Sequence, residues 1–420
     1  MLKNISFQLL WIGQSLANLS DSLYILSLIT LIYQSSGSVT LAALFTVLQV
    51  SGQSISGLLA PLIIDRYRLQ VILIISQASQ TILLATMIII SLSLSSETLL
   101  MIVSLLFVFT ISILDGCTTP SRNALVPRLV QKQQLVKANS LLATSDQMVR
   151  LIGWSLGGIL IASMGEINVL WVTVGMFTIS TVSLLFIKEP VKPVQLKKET
   201  KKKWDHIKEG WVTIWQSPVL RRVSLMEMIE ICGRSIWAGA IVLVFVEEVL
   251  NKGEVWWGFI NSSYFAGTII GGMLVWLFSK WVNRQIFRSM FFGSLGVCVF
   301  TLFFAFNTIP LVALLLTLFM GPAYQLRGIA QKTIFQTKVR PDLLPKVFTS
   351  QNTLVNLTFG SSILLMGFIS DVLGVRMVYF VTASLFAASA LLALTMKQER
   401  VTEEHSSPSE NQVGEGGRSS

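Results

Sequence analysis

Apolar stretches of about twenty residues recur from Phe7 to Met396, separated by short polar gaps. A helix of that length crosses a hydrocarbon layer of about 30 Å. Twelve such spans are predicted. They cover 7–33, 39–64, 71–94, 98–118, 138–163 and 167–187, then 223–249, 255–279, 288–306, 309–330, 348–370 and 375–396. The seventh carries charges and the tenth is broken by Gly321-Pro322. The plan is an all-α integral membrane protein of twelve transmembrane helices in two six-helix bundles, 1–187 and 223–396. A cytoplasmic loop, 188–222, joins them. The polar residues 397–420, rich in Ser, Glu and Gly, read as a disordered tail.

Positive charge fixes the orientation. Of the 32 Lys and Arg, all but Arg150, Arg234, Lys252 and Arg376 lie in or beside every second gap or at the two ends. Those gaps face the cytoplasm by the positive-inside rule, and an even number of spans puts both termini there. The first segment is too long for a signal-peptide apolar region and is predicted to be the first helix.

Composition agrees with this plan. With 52% hydrophobic and 13% charged residues and mean hydropathy +0.67, most segments have no polar face. A net charge of +10 dispersed over short loops points to anionic headgroups rather than nucleic acid. Cys117, Cys232 and Cys298 fall in or beside apolar segments, as inert thiols do. His206 and His405 lie in the central loop and the tail, so histidine chemistry has no place in the membrane. The sequence contains no Gly-x-x-x-x-Gly-Lys-Ser/Thr phosphate loop. No enzyme and no cofactor is expected, and energy must come from an ion gradient or from the gradient of the substrate. In the central loop, Trp204, Ile207, Trp211, Ile214 and Trp215 recur at helical spacing after a run of lysines. This predicts a short amphipathic helix, lying in the headgroups or packed on the ends of other helices.

A charge at bilayer depth costs about 2.5–3.5 kcal/mol, so each one needs a reason. Asp21, far along the first span, is a candidate proton carrier or cation contact; the alternative is an acid near the outer surface. Asp146 and Arg150 are four apart on the fifth span. Glu230 and Arg234 repeat that spacing on the seventh, with Glu227 one turn earlier. The two pairs form either a coupling network across the bundle interface or self-neutralising structural pairs. Asp115, at the cytoplasmic end of the fourth span, reads as a gate or loop contact. Gln14, Asn18, Gln49, Asn261, Tyr264 and Asn352 are candidates for lining a cavity or for joining helices.

The halves are weakly repeated. Gly57 stands eight residues before Asp65, and Gly272 eight before Lys280; Val126-Pro127-Arg128 matches Val339-Arg340-Pro341. Each pair is six spans apart, which is a parallel six-plus-six repeat. Asp65-Arg66-Tyr67-Arg68 resembles the signature between the second and third helices of major facilitator transporters, with Pro61 at its glycine position. The resemblance makes Asp65, Arg66 and Arg68 part of a cytoplasmic gate. Thr119–Val130, Leu135–Ser140, Trp11–Asp21 and Gly360–Gly374 are similar to the branch of macrolide-efflux and enterobactin-export proteins. Gly153-Trp154-Ser155-Leu156-Gly157-Gly158 is similar to the antiporter motif of the fifth helix, with Trp154 in place of its proline. The resemblance implies a multi-pass transporter of the cell membrane working by alternating access; a single bundle encloses its own path, so a monomer is expected. It would export a small amphipathic drug, antibiotic or secondary metabolite in exchange for protons. The rival readings are proton-coupled uptake of a nutrient or siderophore, and a non-transporting receptor or scaffold.

Overall fold

The computed structural model describes residues 4–36, 39–64, 67–93, 97–189, 203–237 and 240–396. Among them are sixteen α-helices and no strand. In hydrocarbon every backbone polar group must be satisfied within its own segment, which the helix alone achieves without a closed sheet. The first half comprises α1 (Ile5–Ser36), α2 (Val39–Ile64), α3 (Leu69–Ser93), α4 (Glu97–Asp115), α5 (Thr118–Leu129), α6 (Leu135–Met164) and α7 (Glu166–Leu185). Next is α8 (Lys203–Gln216). The second half comprises α9 (Pro218–Arg234), α10 (Ala240–Glu248), α11 (Glu254–Leu277), α12 (Ser279–Arg284), α13 (Ile286–Phe306), α14 (Pro310–Lys338), α15 (Leu344–Leu373) and α16 (Val375–Leu394).

Ten segments are long and apolar enough to cross a membrane, α4 and α5 together forming one of them, Met101–Leu129. The seventh predicted span is a broken one: α9 and α10 meet at 51° beyond the turn Ser235–Trp237. The remaining predicted span is α2, 26 residues without a charge. Two spans outrun their predicted ends. The fourth continues as α5, whose Pro120 falls in the first turn, where a missing N–H does no harm. The tenth continues through Pro322 to Lys338.

Pro322 leaves the carbonyl of Leu318, four residues back, without its helical donor. That carbonyl packs on Gly267 of α11, where a Cβ would come within 2.1 Å of it. A Cβ at Gly271 would lie 2.4 Å from Pro322 Cα. The two helices therefore touch backbone to backbone over a small-residue face. Gly267→Ala is expected to lower stability by about 1–3 kcal/mol through overpacking. Thermal unfolding of the purified protein checks this, with Gly360→Ala, whose added Cβ meets nothing within 4 Å, as the unchanged control.

Consecutive spans run back and forth, so the loops after α2, α5, α7, α12 and α14 fall at one end, the basic end. There one hydrophobic core joins the halves, with Leu125 and Val126 of the first and Phe335 and Phe348 of the second in the same cluster. Toward the other end the core divides. Tyr24, Leu28, Phe45 and Phe177 belong to a first-half cluster. Phe245, Phe304 and Tyr379 belong to a separate second-half cluster.

The predicted linker helix is α8, and it packs on helix ends. Ile214 is buried, Glu209 accepts a hydrogen bond from Lys346 Nζ at 2.6 Å, and Gly210 lies against the Lys346 carbonyl. Val212 and Trp215 remain exposed. Most of the lysine run before it, and the tail from residue 397, lie outside the described residues. In α6 the close contact made possible by glycine uses Gly153 and Gly157 rather than the adjacent Gly157 and Gly158. Gly153 lies against Ser22 and Gly157 against Leu26 of α1, whereas Gly158 meets nothing.

Candidate functional site

Polar contacts seal the halves together at the basic end. Asn139 of α6 donates to Thr333 Oγ1 at 3.0 Å and to Gln336 Oε1 at 2.6 Å. Gln336 in turn donates to the Asn123 carbonyl at 2.9 Å. Arg128 pairs with Glu189 and donates to the Pro341 carbonyl at 3.1 Å. The Lys137 ammonium stands 4.2 Å from the centre of the Trp276 ring. Two glycines set how closely the halves approach. A Cβ at Gly57 of α2 would lie 2.5 Å from Thr353 Oγ1 of α15, and one at Gly272 of α11 would lie 2.0 Å from Thr144 Oγ1 of α6. The same glycine-on-threonine contact thus occurs twice, at the two glycines that mark the sequence repeat.

Behind this seal, at mid-depth, lies a cavity of about 290 Å³. Its wall is drawn largely from the first half, with Asn352 of α15 reaching in from the second. Four of the six predicted lining residues are there: Gln14, Asn18, Gln49 and Asn352. Asn261 and Tyr264 are elsewhere. Asn261 donates to the Trp257 carbonyl of its own helix at 2.9 Å. Tyr264 stacks on Trp237 with ring centres 6.2 Å apart.

Asp21 and Asp115 share the cavity wall, so of the two roles predicted for Asp115, gate or loop contact, its position does not suit the loop contact. Asp115 accepts a hydrogen bond from Gln53 at 3.0 Å. Asp21 makes no hydrogen bond or ion pair among the described residues, and Arg150 lies within electrostatic reach of it. The third span adds Gln77 and Gln80, one helical turn apart, which the sequence reading did not single out. The side-chain amide nitrogens of Gln14 and Gln80 are buried without a partner among the described residues. A buried donor without an acceptor is costly, so a site holding two of them is shaped for something that accepts.

Neither predicted pair forms along its own helix. Asp146 is held by Arg122 of α5, through 3.2 and 3.0 Å hydrogen bonds to its two oxygens, and by Asn18 of α1 at 2.7 Å. A bidentate guanidinium satisfies a carboxylate better than a single arginine contact from one turn away. Arg150 is thereby left exposed on the cavity wall. In the second half, Glu230 pairs with Arg327 of α14. Ser294, Gln331 and Ser389 complete its shell at 2.7, 2.8 and 2.5 Å. Arg234 turns to the Tyr324 hydroxyl, and Glu227 accepts from Gln351. Each of these acids is therefore held by a group on another helix of its own half and not by the arginine one turn away. Of the signature residues, Asp65 and Arg66 lie outside the described residues, and Arg68 begins the turn into α3.

A sequence profile described as the Major Facilitator Superfamily matches residues 10–360. An uncharacterized transporter of that type from Bacillus subtilis, YfmI, is 34% identical over 387 residues, covering 92% of this chain and 95% of the relative. Macrolide efflux protein A of Streptococcus pyogenes is 20% identical, over 94% of this chain and 97% of its own. Among solved structures, a bacterial homologue of the iron transporter ferroportin, in an outward-facing state, superposes with a TM-score of 0.75. It is 13% identical and covers 93% of this chain and 98% of its own, a likeness of fold. An all-helical bundle among the described residues, a repeat that meets itself across the interface and the profile match agree: the chain belongs to the Major Facilitator Superfamily of membrane transporters.

Proposed function

We propose that this transporter exports a small organic cation bearing hydrogen-bonding groups, in exchange for protons, by alternating access. The mid-depth cavity carries the proposal. Its wall holds two carboxylates, one unpaired arginine and a row of carboxamides, with Ala17, Ile25 and Phe177 as its larger apolar surface. Such a wall binds ammonium and hydroxyl or amide groups in preference to bare hydrocarbon, so the polar part of an amphipathic substrate would lie here. The low-identity efflux relative supports the outward direction.

With the basic end taken as cytoplasmic, the halves are closed toward the cytoplasm and separated beyond it. This is the state in which substrate leaves and a proton arrives. Asp21 is the proposed proton carrier, because no neighbouring group neutralises it by hydrogen bond or ion pair. Protonating it weakens the hold on a bound cation, and rocking of the halves about the Gly57 and Gly272 contacts then returns the proton to the cytoplasm.

Accumulation of labelled macrolides and fluorescent organic cations in cells expressing the chain tests this. The expected result is lower accumulation, reversed by a proton uncoupler. Higher accumulation overturns the direction in favour of uptake. No change with any cation overturns the substrate class.

A further inference from the structure

On the outer side of the second half, α11, α12, α13 and α14 enclose a groove of about 550 Å³ that the transport pathway does not use. No charged side chain lines it. Phe278, Trp281, Phe292, Phe300 and Phe319 make most of its wall, and Gly271 and Pro322 form its floor. The floor exists because α11 and α14 touch backbone to backbone there, which leaves a trough between their outer faces. Phe278, Trp281, Phe292 and Phe319 are each exposed, so the groove opens outward. Along α13 it runs from Phe292 to Phe300, about 12 Å at about 1.5 Å per residue.

Charge marks one end of this groove. Lys280 and Arg288 are exposed at the α11–α13 corner, on the basic end. Lys280 adjoins Trp281 in the chain, and Arg288 stands four residues before Phe292 on one helix face, so each lies beside an aromatic of the wall. Nothing nearby in sequence offsets them: between Glu254 and Asp342 there is no acidic residue. The one buried cation of that stretch with an acid partner, Arg327, is committed to Glu230.

We propose that this corner is a binding site for an anionic phospholipid, with an acyl chain in the groove and the phosphate on Lys280 and Arg288. Basic residues beside a trough between membrane helices are the arrangement that selects anionic headgroups, and the aromatic wall supplies apolar contact for the chain. Neither half of the site suffices. The groove alone would take any lipid, and the cations alone any phosphate. The inference needs only that the protein spans a membrane, and it is independent of substrate and of transport direction.

The test uses the purified full-length protein in detergent, titrated with phosphatidylglycerol, phosphatidylcholine or inorganic phosphate while thermal unfolding is followed. Phosphatidylglycerol is expected to raise the midpoint saturably, and the other two are not. A Lys280→Gln/Arg288→Gln variant should keep the midpoint seen in phosphatidylcholine and bind phosphatidylglycerol about tenfold more weakly. Ala323→Phe, which fills the groove from within and leaves the charges in place, should also weaken it. Equal effects of the two lipids, an equal effect of inorganic phosphate, or unchanged binding by both variants would overturn the site.

Discussion

Replacing Arg327 by leucine is expected to destabilise the protein by about 3–5 kcal/mol, the penalty for leaving a buried charge unpaired. Glu230 has no exposed side-chain surface, and Arg327 is the cation that neutralises it. Ser294, Gln331 and Ser389 donate to the same carboxylate but bring no charge. The guanidinium is itself held between rings, 4.7 Å from the centre of Tyr324 and 5.3 Å from that of Phe386. Its loss therefore removes packing as well as charge. The Glu230→Gln/Arg327→Leu double variant should recover much of the loss, because an amide still accepts from its neighbours and no ion remains. Arg234→Leu should be milder, since its partner is the neutral Tyr324 hydroxyl. Thermal unfolding of wild type, Glu230→Gln, Arg327→Leu and the double variant, read as a double-mutant cycle, measures the coupling. Equal stability of wild type and Arg327→Leu would mean that Glu230 is not held as a buried ion.

The partner of Glu230 shows where sequence reasoning stops. Hydropathy reports which segments enter the membrane, because that property belongs to each segment alone, and each predicted span is helical where the structure describes it. The repeat was legible too, since Gly57 and Gly272 are the places where the halves approach. Pairing is different. Residues four apart on one helix are always near, which made Asp146–Arg150 and Glu230–Arg234 the visible choices. In a bundle, however, a neighbouring helix can present a guanidinium end-on, and Arg122 and Arg327 do so. Both lay at the margins of predicted spans, where a basic residue looks like a topological signal. The α14 helix runs past its predicted end, and that brings Arg327 and Gln331, one turn apart, onto Glu230. Gln77 and Gln80 carried a fainter signal of the same kind, two carboxamides one turn apart in an otherwise apolar helix. Which of four surrounding helices such a face meets is decided by tertiary packing.

Asp21→Asn is expected to abolish gradient-driven transport while sparing exchange of substrate across the membrane. A carboxylate at mid-depth is costly, and the other acids of this region are held by neighbours: Asp115 by Gln53, Asp146 by Arg122 and Asn18, Glu227 by Gln351. Asp21 has no hydrogen-bond or ion-pair partner among the described residues, and Arg150 acts on it only from a distance. Asparagine keeps its size and hydrogen-bonding oxygen but cannot bind and release a proton, so the halves can still rock with substrate aboard while no proton is carried. Vesicles containing the purified protein separate the two activities. With a proton gradient imposed, the variant should concentrate no more substrate than protein-free vesicles. With labelled substrate on one side and unlabelled on the other, it should still equilibrate the label, at a higher substrate concentration than the wild type needs, because Asp115 remains on the wall. Asp115→Asn, whose parent already has a hydrogen-bond partner, should retain part of its gradient-driven activity. If Asp21→Asn still concentrates substrate, the proton travels on another group; if exchange is lost as well, Asp21 is indispensable for holding the cation and Asp115 does not suffice for it.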